Sequence, residues 1–554
     1  MKKFFILFLS ITLFSQTRFI IFGDTQFQNP DIFQQFINLA NQENVDFTVH
    51  VGDMIHGHTH SKSILYKEWE IFFNEISNLK TPFYYTAGNH DLTTKEGLEV
   101  FKDVWKNKLY YSFDFKDIHF IVLNTFTNLN SFYTIDKEQI NWLVNDLEAN
   151  KNKPTFVSLH PPLYYSDWEY WKNFHKLFIQ YNVKGVFTGH NHIFNHKNID
   201  GINYFCINTS GNLKFIDNFY TGIFWGYILV EYYNNDSIKY SIQTLNNKYS
   251  LSDFDENLAS IIKKISCSNH SILYNNTKQI DTISYTLQNL SDKQITYNLS
   301  WDIKEKSILI EPLKSQIPLD AKSFKEIKFI INKNSETSNN PARLKVKYDY
   351  IDNSKSYPLY YYVDLIIPKI AHAKFSNSKI IIDGIVENKE WNNSSIIENF
   401  NHKIKTKVYI SYDSTYLYFG FINNEPTPSK MTASASGNLP YVFGDDDIEF
   451  HFYLENQPDK FYRIMLNPNN TQFISGPAGR FSYPVDSKTY VGKDFWSGEI
   501  RIKFRDLNIT KYQPLRFNIR RNRTQSYPNN IIEWQETNKY PPYLLHKFGR
   551  LKFD

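Results

Sequence analysis

Phe83-Tyr84-Tyr85-Thr86-Ala87-Gly88-Asn89-His90-Asp91 is an aromatic-rich run closed by a polar block, the third of five such units within the first 192 residues. Phe19-Ile20-Ile21-Phe22 leads into Gly23-Asp24-Thr25-Gln26, and Phe47-Thr48-Val49-His50-Val51 into Gly52-Asp53. Thr155-Phe156-Val157-Ser158-Leu159 ends at His160, and Gly185-Val186-Phe187-Thr188 at Gly189-His190-Asn191-His192. Short runs of β-branched and aromatic residues bounded by turn residues read as buried strands. The polar blocks then lie just past the carboxyl ends of strands, where open α/β sheets place their ligand crevice. Carboxylates mixed with imidazoles suit borderline divalent metals such as Mn, Fe or Zn, and a carboxylate shared by two ions holds them about 3.5–4 Å apart.

Between the strands lie helical spacings. Pro30-Asp31 opens a segment with Ile32, Phe33, Phe36, Ile37 and Ala40 on one face, and Asp136 opens another with Ile140, Trp142, Leu143 and Leu147. Strands alternating with such helices imply a sheet covered on its faces. Tyr110 to Phe115 and His119 to Leu123 read as a hairpin about Lys116-Asp117.

The order and spelling of the polar blocks resemble the calcineurin-like metallophosphoesterase family over about residues 18–247. The resemblance implies an α/β catalytic domain, residues 17–247, folded as a four-layer α/β/β/α metallophosphoesterase sandwich. It also implies two divalent metal ions and hydrolysis of phosphate mono- or diesters by a hydroxide that both ions share. By family position Asp53 bridges the ions. Asp24, Gln26 and His192 complete the first metal site, and Asn89, His160 and His190 the second. His90 is the implied acid for the leaving oxygen, or a cation that stabilises the transition state.

Two positions depart from the commonest pattern of the family. Residue 26 is Gln where most members have His, and a neutral amide oxygen is a weaker ligand. Residue 56 is His where phosphoprotein phosphatases of this fold carry an Asp that pairs with the catalytic His. Together the two departures resemble a branch of the family with Asp-x-Gln and Gly-Asp-x-x-His. His56 is therefore expected at the crevice mouth as a catalytic or substrate contact, while His58 and His60 read as a solvated polar loop. The loops Thr125 to Tyr133 and Tyr164 to Trp171 are expected to shape the pocket, their aromatic content pointing to an apolar or ring-bearing leaving group.

Lys2 and Lys3 precede an apolar stretch from Phe4 to Phe14. That is the pattern of a signal peptide over residues 1–15, too short to span a bilayer. The chain is accordingly expected to be secreted or periplasmic, with cell-surface association, and no later run reads as a transmembrane segment. With 554 residues it should hold several domains. The 61 basic and 57 acidic residues are too evenly matched to imply nucleic acid as a partner. The 2 cysteines, Cys206 and Cys267, exclude a disulfide framework.

Beyond a polar boundary near Asn246 to Asn257, Ile283 to Leu287, Ile295 to Trp301, Phe324 to Phe329 and Ala342 to Tyr348 alternate at period two. This reads as an immunoglobulin-like β-sandwich over 258–368. Residues 372–554 carry Ile382-Asp383-Gly384, Trp391, Asp445-Asp446-Asp447-Ile448-Glu449-Phe450, Tyr462 to Asn467 and Phe548-Gly549-Arg550-Leu551, and resemble carbohydrate-binding module family 9. The resemblance implies a second all-β sandwich and a glycan partner. It places Phe443 and Tyr543 near the aromatic clamp and Glu449 and Asn467 among the polar contacts. Asp445-Asp446-Asp447 reads as a solvated strand-entry loop, with Ca²⁺ binding as the alternative. The phosphoester-hydrolase reading has one rival, a non-catalytic cell-surface carbohydrate-binding protein that keeps the phosphoesterase fold.

Overall fold

The computed structural model describes residues 16–554 except 27–29, 127–132, 212–216, 234, 267–270, 275–278, 334–340, 353–354, 399, 401, 434, 436–443, 456, 458–459, 478, 481–484, 508, 510–512, 527–530 and 538–544. The expected signal peptide, Phe443, Tyr543 and Cys267 lie outside the described residues. The chain forms two compact units, residues 16–58 with 65–263, and residues 59–64 with 264–554.

The first unit is built on two six-stranded sheets. In one, the strands Gln16–Phe22, Phe47–His50 and Phe83–Tyr85 run parallel, and Tyr227–Tyr233 pairs antiparallel with the first of them. In the other, Ile118–Val122, Thr155–Ser158, Val183–Thr188 and Ile202–Cys206 run parallel. Each strand is apolar on both faces because each face meets a different core. Phe19, Ile21, Phe47 and Val49 turn inward and meet Phe120, Phe156, Phe187 and Phe205 of the second sheet. Ile20, Phe22, Tyr85 and Leu229 turn outward under the helices that carry Phe33, Phe36, Leu65, Trp69, Phe72 and Phe101. On the far side, Ile121, Val157, Val186 and Tyr204 meet helices carrying Leu143, Leu147, Trp171 and Phe178. The layer order is therefore α/β/β/α, and the near-continuous apolar runs are its direct cause.

The expected helices form at Pro30–Gln42 and Lys137–Ala149, the second capped by Asp136, whose side chain accepts from the Gln139 N–H. The hairpin pairs Tyr111 with Val122 and Phe115 with Ile118 and lies at the edge of the second sheet. This unit extends to Lys263, past residue 247, because the helix Glu256–Ser266 packs on it. Leu258, Ala259 and Ile262 are buried there, and Asn195 donates to Glu256. The segment Tyr164 to Trp171 is helical for most of its length, and Tyr164 and Trp171 themselves are core residues rather than pocket walls.

The second unit is almost wholly β. A five-stranded sheet including Ile295–Ile303, Ala342–Asp352 and Lys355–Ile366 faces a three-stranded sheet of Ile280–Asn289, Ile308–Glu311 and Ser323–Lys333. Trp301 of the first sheet meets Phe329 of the second edge-on at 5.3 Å. Period-two burial along these strands, as at Ile283, Tyr285 and Leu287, matches a sheet with one solvated face. Residues 370–553 form a 13-stranded sheet folded on itself. The strand Ile370–Phe375 pairs with both Gly549–Phe553 and Thr406–Tyr412, joining the two halves. Phe419 of one half stacks on Phe450 and Phe517 of the other. Among the described residues no helix is long and apolar enough to cross a membrane.

Candidate metal centre

Parallel strands end together, so their polar blocks converge. Asp24 follows the strand Gln16–Phe22, Asp53 follows Phe47–His50, and Asn89 and His90 follow Phe83–Tyr85. From the second sheet, His160 follows Thr155–Ser158, and His190 and His192 follow Val183–Thr188. Thr86 and Ser158 share a 2.7 Å hydroxyl contact that ties the two sheet ends together.

Two triads of ligand atoms result, each within 4.8 Å: Asp24, Asp53 and His192 in one, Asp53, His160 and His190 in the other. Asp53 belongs to both. Asn89 joins the second through its Oδ1, 2.8 Å from His190 Nδ1. Gln26 is buried beside the shared carboxylate, its Nε2 donating to Asp53 Oδ2 at 2.9 Å. Rotation about the last bond of that side chain would present the amide oxygen instead.

The electrostatics fit bound cations. His160 Nδ1 lies 2.8 Å from the Val51 carbonyl, which can only accept, so the ring proton sits there. Nε2 is left facing Asp53 Oδ2 at 3.2 Å and Asp24 Oδ1 at 3.9 Å. A lone pair facing carboxylate oxygens is repulsive unless a proton or a metal lies between them. With a proton there, burial lowers the His160 pKa while Asp53 and Asp24 raise it, to about 9 on balance. Burial raises Asp53, but His160 and His90 hold its carboxyl well below the usual carboxylate range. Burial and the neighbouring His160 push His190 down to about 4, leaving it neutral and ready to ligate.

The backbone is strained where the candidate ligands sit. Asp24, Gln26, Asp53, His190 and His192 all have positive φ, between 23° and 71°. Such conformations cost roughly 1–3 kcal/mol each and gather where function over-determines them. Gly88 is required by close approach, since a Cβ there would lie 2.2 Å from Asp53 Oδ1.

Asp91 holds this geometry. Its Oδ1 accepts from the Met54 and Ile55 N–H groups at 3.0 and 3.3 Å, and its Oδ2 from Asp53 and Gly88 at 3.1 and 2.8 Å. One buried carboxylate thus clamps the loop of Asp53 to the loop of Asn89 and His90.

His90 is anchored twice. Its backbone N–H donates to Asp53 Oδ1 at 2.8 Å, and its Nδ1 lies 2.6 Å from the carbonyl of His56. The partner expected from a carboxylate is thus supplied by the backbone of residue 56, and His56 acts here through its carbonyl. His90 Nε2 faces the crevice, 3.9 Å from Asp53 Oδ2. His58 is not a freely solvated loop residue: its ring centroid lies 4.0 Å from that of His90, and its Nδ1 is 2.6 Å from Thr93 Oγ1. Tyr133 stands against His190, its hydroxyl 3.3 Å from Nε2. The sequence singled out neither Asp91 nor Tyr133 for a role, although Asp91 closes the Gly-Asn-His-Asp block and Tyr133 ends a loop expected at the pocket.

In the second unit, Glu449 is buried between cations. It accepts from Arg463 Nε at 2.8 Å, lies 2.7 Å from His451 Nε2, and is 3.6 Å from Arg520. Burial raises its carboxyl, yet Arg463 and Arg520 hold it below the usual range. Asn467 is buried and organises a turn, donating to Asp445 Oδ2 and accepting from the Asn469 and Thr471 N–H groups. Asp445, Asp446 and Asp447 are buried rather than solvated, Asp446 accepting from Thr432 and Thr524. Trp391 and the Asp383-Gly384 backbone both donate to Glu499, which accounts structurally for that part of the sequence pattern.

Residues 17–194 match the family described as calcineurin-like phosphoesterase. Purple acid phosphatase 23 of Arabidopsis thaliana is 27% identical over 179 residues, covering 27% of this chain and 38% of that enzyme, so the chain spans well under half of the relative's length. A dimetal phosphatase from Danio rerio aligns with 42% of this chain and 98% of its own, at 12% identity and a TM-score of 0.33. A carbohydrate binding module of family 9 from Caldicellulosiruptor kristjanssonii, solved with cellotriose, aligns with 34% of this chain and 94% of its own, at 18% identity and a TM-score of 0.26.

Proposed function

We propose that this chain, whose residues 17–194 carry a calcineurin-like phosphoesterase domain, is an exported metal-dependent hydrolase of phosphate mono- or diesters. The single observation that carries this reading is that Asp53 belongs to both ligand triads. Asp24, Gln26 and His192 would hold one divalent ion with Asp53, and Asn89, His160 and His190 the other. Two such ions supply Lewis-acid neutralisation of phosphoryl charge and make water a stronger acid. The remaining work falls to side chains. With Nδ1 committed to the His56 carbonyl, His90 keeps Nε2 as the atom that can pass a proton to the leaving oxygen. Asp91 keeps the backbones of Asp53 and Gly88 in register, and the His90 N–H is held in turn by Asp53 Oδ1. Tyr133 can accept from His190 Nε2–H, which leaves His190 Nδ1 as the ligand atom.

Asp53→Asn tests the reading. The variant should lose metal and hydrolysis of p-nitrophenyl phosphate and bis(p-nitrophenyl) phosphate together, whereas wild-type levels of both would sink it. Hydrolysis of neither ester by the wild type would favour the non-catalytic binding protein. Export rests on Lys2, Lys3 and the apolar stretch after them. N-terminal sequencing of the native protein should begin near Gln16, and an intact Met1 in a cytoplasmic protein would end that part. Residues 372–554 would hold the enzyme to a glycan. What supports this is the sequence resemblance of these residues to carbohydrate-binding module family 9 together with their all-β sheet, in which Asp447, Glu449, Arg463 and Arg520 form a buried polar cluster on paired strands.

A further inference from the structure

We infer that Tyr133 is a specificity-determining wall of the crevice and that the leaving group it receives carries a planar ring, as in a nucleoside phosphate. This rests on the phosphoesterase reading above. Tyr133 is a large aromatic side chain left 40% exposed at the edge of the metal centre. Its ring contacts are with His190, at 5.4 Å and 66°, and with Phe126, at 5.7 Å and 68°. Both are edge-type contacts, so among the described residues no ring stacks on a face of Tyr133. Phe126 in turn lies 6.2 Å from His160, so the two aromatics line the side of the centre formed by the second ligand triad.

The position is held, not incidental. Phe126 bridges to Thr134, and the Thr134 N–H donates to the Thr125 carbonyl at 3.2 Å, pinning Tyr133 at the foot of its loop. Its φ is +67°, a conformation that a bulky side chain adopts only when the surroundings impose it. The edge contacts with His190 and Phe126, which Phe at this position would keep, hold the ring beside a candidate ligand residue. An exposed ring fixed near the reacting centre is a stacking platform, which is tolerant of which base it meets because every base has a π-face. Aliphatic leaving groups gain no such contact.

The test separates ring from ester. AMP and ribose 5-phosphate share the phosphorylated sugar carbon and differ in the base. Their inhibition constants are measured on the metal-loaded full chain against whichever of p-nitrophenyl phosphate and bis(p-nitrophenyl) phosphate it hydrolyses. Wild type should bind AMP about 5- to 100-fold more tightly than ribose 5-phosphate. Tyr133→Phe and Tyr133→Trp should keep that ratio and Tyr133→Leu should bring it close to one, all constants being compared at equal metal loading. A wild-type ratio near one, a ratio that survives in Tyr133→Leu, or a ratio lost equally in Tyr133→Phe would overturn the inference while leaving the hydrolase reading standing. Turnover of neither ester would remove both.

Discussion

Replacing Asp91 by Asn should loosen the metal centre without touching a ligand. The wild-type carboxylate serves four backbone donors, those of Asp53, Met54, Ile55 and Gly88, through two oxygens. An Asn side chain has one oxygen, so two of the N–H groups would face an NH₂ that cannot accept. A buried donor left without its partner costs roughly 1–3 kcal/mol, giving about 2–6 kcal/mol for the pair, offset in part because burial and the Asp53 charge already disfavour the ionised Asp91 carboxyl, pushing it up to about 8. Asp91→Ala strands all four and should cost more. The loss falls on the two loops that carry Asp53, Asn89 and His90. It should therefore appear as faster hydrogen exchange at the amides of residues 53–55 and 88 and as weaker Mn²⁺ or Zn²⁺ binding by calorimetry. Wild-type exchange at those amides together with wild-type metal affinity would refute the argument that Asp91 clamps the loops.

Three further outcomes are expected. His90→Ala should keep both metals yet lower turnover by about 10² or more if His90 donates the proton, and loss of metal instead would show a ligand role. In the metal-stripped chain His160 titrates at about 9, above its ordinary 6.5, so its charge stabilises the fold fully below pH 6.5 and that contribution fades as pH rises through 9. A metal must displace this proton, so Zn²⁺ affinity should climb with pH over the same window, and a pH-independent competition titration would contradict the pairing. Glycan-array or calorimetric binding by the full chain should be lost in Phe443→Ala and Tyr543→Ala. A wild-type chain that binds no glycan while hydrolysing an ester would make residues 372–554 a structural domain.

The sequence alone determined the strands of the first unit and the polar blocks that close them. A strand buried on both faces must be apolar throughout, and residues able to hold a metal must be polar, so the switch at Phe22-Gly23, Val51-Gly52 and Ala87-Gly88 is visible without coordinates. The period-two runs of the second unit were legible for the same reason, since one face of each strand is wet. Tertiary structure decided what composition leaves ambiguous. The buttress of His90 is a backbone carbonyl, and every residue has one, so no residue type at position 56 could announce it. His58, Asp445 and Asp447 look like loop or surface polarity in one dimension, yet Asp445 and Asp447 are buried and His58 is half-buried against the ring of His90. Asp91 spelled part of a motif, but its work is to accept N–H groups from residues 53–55, 36 to 38 positions away, and that depends on two parallel strands ending side by side. Which polar residues become ligands, clamps or walls is set by where the strands stop relative to one another, and only the packed sheets fix that.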